Sequence, residues 1–212
     1  MIQDVSVLDV NKFYTYADYL TWQVQERFEL IKGRLFKMSP APLRYHQEIS
    51  RNLIRLFSGY LYKKPCKVFY APLDVRLPQP QQGTHKDKEV DTVVQPDIVV
   101  VCDPSKLDRR GCVGAPDLII EILSLSTAAK DVKDKFHLYE EAGVREYWIV
   151  IPGEALLEVF ILDKQGKYQL DSIYSRDDTV NVGIFDDFSI DLREIFEEEL
   201  EEETDSANER RL

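Results

Sequence analysis

The stretch Gln95-Pro96-Asp97-Ile98-Val99-Val100-Val101, followed after a linker by Pro116-Asp117-Leu118-Ile119-Ile120-Glu121-Ile122-Leu123-Ser124, decides the reading of this chain. Both apolar runs have the length and β-branched content of buried strands. Each carries one acid where a buried strand should carry none: Asp97 opens the first run and Glu121 interrupts the second. A carboxylate in such a run is destabilising unless it is paired or holds a metal. Two of them, one per strand, point to a shared divalent-metal site.

Working outward, segment 127–142 reads as a polar helix closed by Gly143, and 146–151 as another strand. Asp131, Lys135 and Tyr139 stand four residues apart, so on a helix they line one face. A strand ending near Glu121, followed closely by this helix, brings Lys135 beside the two carboxylates. Two carboxylates and a lysine are what metal-assisted phosphodiester hydrolysis needs. The metal activates water and neutralises phosphate, while the lysine orients or deprotonates that water or stabilises developing negative charge.

The matching residues extend further. In order they are Phe28-Glu29-Leu30-Ile31-Lys32-Gly33, Met38-Ser39-Pro40, His46, Pro96-Asp97-Ile98, the run from Ala115 to Ser124, Asp131, Lys135, Tyr139, and Gly143-Val144-Arg145-Glu146-Tyr147-Trp148. This set resembles the Uma-two family of the PD-(D/E)xK restriction-endonuclease-like superfamily, from about residue 15 to 195. The resemblance implies an α/β fold, a central mixed β-sheet flanked by helices, with Asp97 and Glu121 on adjacent strands. It implies an endonuclease that hydrolyses DNA with Mg²⁺ (or Mn²⁺), working as a homodimer. Asp97 and Glu121 would bind the metal, Lys135 would assist the attacking water, and Glu29 and His46 would be auxiliary. The superfamily's acid-x-Lys pattern places lysine at position 123, where this chain has Leu123. Lys135 matches the alternative source of that lysine, with Lys130 and Lys133 nearby.

Blander readings stand beside these. Glu29 alone reads as an edge-strand acid facing solvent, and His46 as a capping or surface residue. Asp131 and Lys135 read as a surface i,i+4 pair contributing about 0.3–0.5 kcal/mol. Two other functions are compatible: an inactive nuclease-fold module for binding or assembly in a mobile-element or defence system, and a metal phosphodiesterase acting on RNA or a nucleotide.

The 212 residues suit one domain over 1–196 with an acidic, disordered tail over 197–212. The formal net charge is −11, and nine acids against two arginines between 194 and 212 supply most of it. The remainder is still mildly acidic, so DNA binding must rest on a local basic patch. Lys106, Arg109 and Arg110 form one such group, and His85, Lys86 and Lys88 a second that nearby acids offset. No apolar run approaches the ~20 residues of a membrane span. Cys66, Cys102 and Cys112 lack metal-site spacing and read as free thiols in a reducing cytoplasm.

The remaining chain reads in order as an extended arm over 1–13, a helix over 16–23 and strands over 27–31 and 34–38. A break at 39–42, an amphipathic helix over 43–62 and one strand over 66–77 follow. Segments 78–91 and 103–114 read as loops, then come strands over 146–151, 156–162, 168–174 and 180–184 and a short helix over 192–196.

Overall fold

The computed structural model describes residues 4, 8–38, 43–78, 86–124 and 128–197. The break at 39–42, His85 with most of its loop, the helix start at 127 and the tail beyond 197 lie outside these residues, as does the side chain of Asp131.

The short helix α1 (Tyr16–Tyr19) is capped by Thr15, whose side chain accepts from Asp18 N–H while Asp18 answers to the cap backbone. Strands β1 (Phe28–Ile31) and β2 (Arg34–Lys37) form a hairpin. Its turn, Lys32-Gly33, has φ of 50° and 75°, the left-handed pair a tight hairpin wants. A Cβ on Gly33 would also overlap the Phe13 ring. Helix α2 (Arg44–Leu61) follows and buries Ile49, Leu53, Phe57 and Leu61 along one face.

The segment expected to be one strand over 66–77 is two. Strand β3 (Lys67–Tyr70) and strand β4 (Asp74–Arg76) belong to different sheets, divided at Ala71-Pro72. Proline cannot donate to a ladder, so the chain leaves one sheet there. Next come β5 (Val93–Val94) and β6 (Ile98–Val101). The expected loop over 103–114 contains β7 (Leu107–Asp108) and β8 (Gly111–Val113). The remainder is β9 (Leu118–Ile122), α3 (Ala128–Ala142), β10 (Glu146–Ile151), β11 (Leu156–Leu162), β12 (Tyr168–Ser175), β13 (Thr179–Asn181) and β14 (Ser189–Asp191).

The central sheet has the order β12-β11-β10-β9-β6-β3. It is mixed: β9 and β10 run parallel, joined by the α3 crossover, and its other pairs are antiparallel. Alternation assigns its two faces. Ile98, Val100, Leu118, Ile120, Trp148 and Val150 meet α2 and the C-terminal segment. Val99, Val101, Ile119, Tyr147 and Ile149 meet Leu138 and Tyr139 of α3. The expected central mixed sheet with helices on both faces is therefore present. Unexpected is a second six-stranded sheet, β2-β1-β5-β4-β8-β7, whose Val75, Val94 and Cys112 share the α3-side core. Its strands are two to four residues long, too short for a periodicity signal.

The free-thiol expectation is corrected. Cys66 and Cys102 form a disulfide, and Cys112 alone is a buried thiol. The register of β3 against β6 pairs Lys67 with Val101, which sets positions 66 and 102 opposite each other. A pairing across 36 residues depends on which strands become neighbours, and spacing does not show that. The reduced-thiol argument for a cytoplasmic location therefore lapses. Among the described residues no helix is long and apolar enough to cross a membrane.

One buried carboxylate ties the C-terminal segment to the central sheet. Glu146 is 1% exposed and accepts from Trp148 Nε1 (2.7 Å), Gly183 N (3.1 Å) and Ile184 N (2.8 Å). A Cβ on residue 183 would press on that carboxylate, so glycine permits the close approach. Glu146→Ala leaves three donors unmatched and should lower stability by about 3 kcal/mol. Glu146→Gln, which turns one acceptor into a donor facing Ile184 N–H, should lower it by about 1–2 kcal/mol. Urea denaturation measures both.

Candidate active site

Asp97 immediately precedes β6, and the antiparallel register of Ile98 with Ile120 places it beside the end of β9. Its carboxylate takes over where the ladder stops: Oδ2 accepts from Ile122 N–H at 2.8 Å. Nε2 of His46, from the first turn of α2, lies 3.3 Å from the same oxygen. The Asp97 carbonyl accepts from Ala71 N–H at 3.0 Å, fixing the corner where β3 ends.

Glu121 lies on β9 with the parity of Ile119, so it points toward α3. There Lys135 and Tyr139, one turn apart, both reach Oε1. Lys135 Nζ donates at 3.0 Å and Tyr139 OH at 2.7 Å. The same ammonium lies 3.1 Å from Oε1 of Glu29 on β1. Glu29 Oε1 also accepts from Gln95 N–H at 2.8 Å. Lys135 thus bridges the two sheets, and with side-chain exposures of 13% for Lys135, 8% for Glu29 and 11% for Glu121 it does so out of bulk water. The structure therefore brings Asp97, Glu121, Lys135, Glu29 and His46 together around one cleft of about 240 Å³.

The solvent-facing reading of Glu29 and the surface i,i+4 reading of Lys135 are both corrected by this burial. His46 is also buried rather than a surface cap. Of the lysine rivals, Lys133 is exposed and lies two positions from Lys135, and the side chain of Lys130 lies outside the described residues.

The electrostatics follow from the counting of charges. Burial pushes the Glu121 carboxyl up from the ordinary glutamate range, Lys135 opposes the rise, and Asp97 and Glu29 add to it. Burial alone would discharge Lys135, but Glu121 and Glu29 hold its ammonium well above the usual lysine value. Burial likewise opposes charge on His46, and its contact with Asp97 more than restores it. Burial leads in lifting the Tyr139 hydroxyl far above its usual range, with the Glu121 charge next, so it remains a donor.

Three carboxylates share one ammonium and one histidine, a deficit of positive charge that a cation fits. Among the described residues, Oδ1 of Asp97 and Oε2 of Glu121 have no hydrogen bond. No group of three His, Cys, Asp or Glu side chains among them converges to enclose an ion. Two carboxylates with free oxygens are the donor set of Mg²⁺, which keeps several waters and binds through one or two carboxylates plus substrate. The residues therefore fit such an ion, and they do not form an all-protein cage.

Several contributors had no role in the sequence reading. Gln95 opens the deciding stretch, yet its backbone holds Glu29 and its side chain receives Arg27. Arg27, just before β1, alternates with Glu29 and Ile31 on it, and all three line the cleft, so parity along the run was the available signal for Arg27. Asp134, next to Lys135, also lines it. The basic group at 106–110 is largely engaged elsewhere. Lys106 donates to the Ala115 carbonyl at 2.8 Å and Arg110 to Asp87 at 2.7 Å. Asp117 is structural, accepting from Cys102 N–H at 2.6 Å and pairing with Arg145 at 3.0 Å.

The model of a family described as "Putative restriction endonuclease" (Uma2) matches residues 16–193. Two uncharacterized proteins of Synechocystis sp. are similar. One is 27% identical over 63% of this chain and 66% of its own length. The other is 25% identical over 68% of this chain and 78% of its own. A crystal structure of a protein described as a putative nuclease belonging to DUF820, from Anabaena variabilis, superposes with a TM-score of 0.66 at 19% identity. That superposition covers 86% of this chain and 97% of that one. At that identity the likeness establishes the fold, which is restriction-endonuclease-like.

The double role of Lys135 can be tested without any substrate. Lys135→Met should lower stability by about 3–5 kcal/mol, because Glu29 and Glu121 are left as buried carboxylates without the ammonium that pairs them. Adding Glu29→Gln and Glu121→Gln should recover most of that loss. Thermal and urea unfolding of the single and triple variants decide it.

Proposed function

This chain belongs to the Uma2 family of putative restriction endonucleases, and we propose that it is a divalent-metal-dependent endonuclease that hydrolyses DNA phosphodiester bonds. The observation that carries the reading is the meeting of Asp97 and Glu121, each with an oxygen unbonded among the described residues, beside a lysine that two glutamates keep charged. Asp97 and Glu121 would hold Mg²⁺ or Mn²⁺. A cation bound there supplies Lewis-acid neutralisation of phosphate charge and an activated water.

The other roles belong to the chain's own groups. Lys135 is held as an ammonium, so it does not serve as the base. It donates hydrogen bonds and places a fixed positive charge where charge develops on the phosphoryl oxygens. Glu29 is the second anchor of that ammonium, beside Glu121. His46 orients Asp97, and Tyr139 orients Glu121, so both carboxylates are restrained before any ligand arrives. Cutting both strands of a duplex calls for two chains related by a two-fold axis, so the proposal includes a homodimer.

A second reading is a catalytically silent module for binding or assembly in a mobile-element or defence system. Its support is that Lys135 already closes an ion pair with both glutamates, an arrangement that is stable without substrate.

Calorimetric titration with Mg²⁺ and Mn²⁺, run beside nicking of supercoiled plasmid, separates the two. The expected result is metal binding and nicking by the native chain, both lost in Asp97→Ala and Glu121→Ala and both abolished by EDTA. Lys135→Arg, which keeps the charge in a different shape, should retain metal binding and lose about two to three orders of magnitude in rate. Metal binding without cleavage supports the silent module, and no metal binding at millimolar concentration removes the proposed site.

A further inference from the structure

We propose that Arg27 is the phosphate-holding arm of this cleft and that Gln95 positions it; the proposal rests on the nuclease reading of the site. Arg27 is exposed and lines the cleft. Its Nε and Nη2 both donate to Oε1 of Gln95, at 3.1 and 2.6 Å. Nη1 has no protein partner among the described residues. A long surface side chain that lines the cleft is thereby held by two of its donors, and that lowers the ordering cost of a further contact.

Gln95 is built as a holder. It is buried, and its side-chain nitrogen donates to Oδ1 of Asp74 at 2.9 Å and lies 3.4 Å from Tyr19 OH. Asp74 is fixed in turn by Tyr16 OH at 2.9 Å. These partners set the amide orientation, so its oxygen must face Arg27. The backbone N–H of Gln95 meanwhile holds Glu29. One residue therefore sets both the arm and the acid that fixes Lys135.

The position suits a polyanion. Arg27 immediately precedes β1, two residues from Glu29, roughly 7 Å away along an extended chain. It does not touch Asp97 or Glu121, so it can contact a phosphate oxygen without competing for the cation. Guanidinium is suited to phosphate because its planar donors match two oxygens. Arg110 and Lys106 are bound to Asp87 and the Ala115 carbonyl; the cleft lining itself carries two exposed cations, Arg27 and Lys37, and of the two Arg27 is the one that a buried side chain holds in place.

The test is fluorescence anisotropy of a labelled oligodeoxynucleotide in EDTA, where no turnover occurs, with a parallel Mn²⁺ titration. Arg27→Ala should weaken oligonucleotide binding about tenfold or more and make the salt dependence shallower by about one contact. Its Mn²⁺ affinity should match the native chain's. Gln95→Ala should weaken binding about three- to tenfold, and the loss should vanish in the Arg27→Ala background, which a merely structural role would not produce. Arg27→Lys, whose exposed site tolerates the change, should recover only part of the affinity. Unchanged oligonucleotide binding by Arg27→Ala overturns the proposal and leaves the nuclease reading standing. A Gln95→Ala loss that persists in the double variant overturns the positioning role. A native chain that binds Mn²⁺ but no oligonucleotide, either in EDTA or with Ca²⁺ in its place, overturns the proposal together with the nuclease reading.

Discussion

The structure depends on one ammonium group placed between two sheets. Lys135 comes from α3, Glu121 from the central sheet and Glu29 from the second sheet, and the three meet within about hydrogen-bond distance out of bulk water. Burying a charge is unfavourable unless partners and geometry are both supplied. Here they are supplied by three separate parts of the chain, so the pairing also reports that helix and sheets are assembled. Tyr139, one turn along α3, completes the coordination of Glu121 and ties the helix register to the same carboxylate. A one-residue slip of α3 would remove both donors at once.

The surrounding architecture explains why this place can bear the load. On the other face of the central sheet lies a continuous apolar core made by α2, Trp148 and the C-terminal segment. Glu146 binds that segment to β10 on this face, while Glu121 gathers α3 and β1 on the opposite one. Each face of the sheet thus carries one buried carboxylate, and each is satisfied by donors from elsewhere in the chain. The difference is chemical. Glu146 is satisfied by backbone and indole N–H groups and lies in the core. Glu121 shares its cleft with two further acids and keeps an oxygen free. A fully bonded carboxylate is a fastener, and one left partly bonded beside like charges favours a cation.

Much of this could be read from the residues, for identifiable reasons. Strands β10 and β11 lie at their expected bounds because continuous apolar runs between turn signals leave little choice. Helix α2 shows its 3.6-residue stripe plainly. The acids at 97 and 121 stand out because they interrupt apolar runs, and Lys135 follows from helical spacing. The second sheet was hidden, since strands as short as Val93–Val94 carry no period. The Cys66–Cys102 bond was hidden because it depends on β3 and β6 becoming neighbours. Gln95 was hidden for a related reason. Its partners Arg27, Tyr19 and Asp74 come from three segments, and a neutral amide in a polar position gives no local warning.

The acidity of the chain sharpens what a nucleic-acid reading requires. A protein with formal charge −11 has no general attraction for a polyanion and repels it at a distance. Where the run of C-terminal acids begins, Glu194 and Glu197 neutralise Arg55 and Arg51 on α2, removing two more cations from the surface. Attraction must then arise inside the cleft, over less than a Debye length, from Lys135, Arg27, Lys37 and a bound cation. Of these, Lys135 is already balanced by two glutamates, so a divalent ion would bring as much added positive charge as Arg27 and Lys37 together. On the proposed reading, metal loading and substrate loading are therefore linked: each makes the cleft more favourable for the other, and neither ligand alone meets the charge balance that the pair creates.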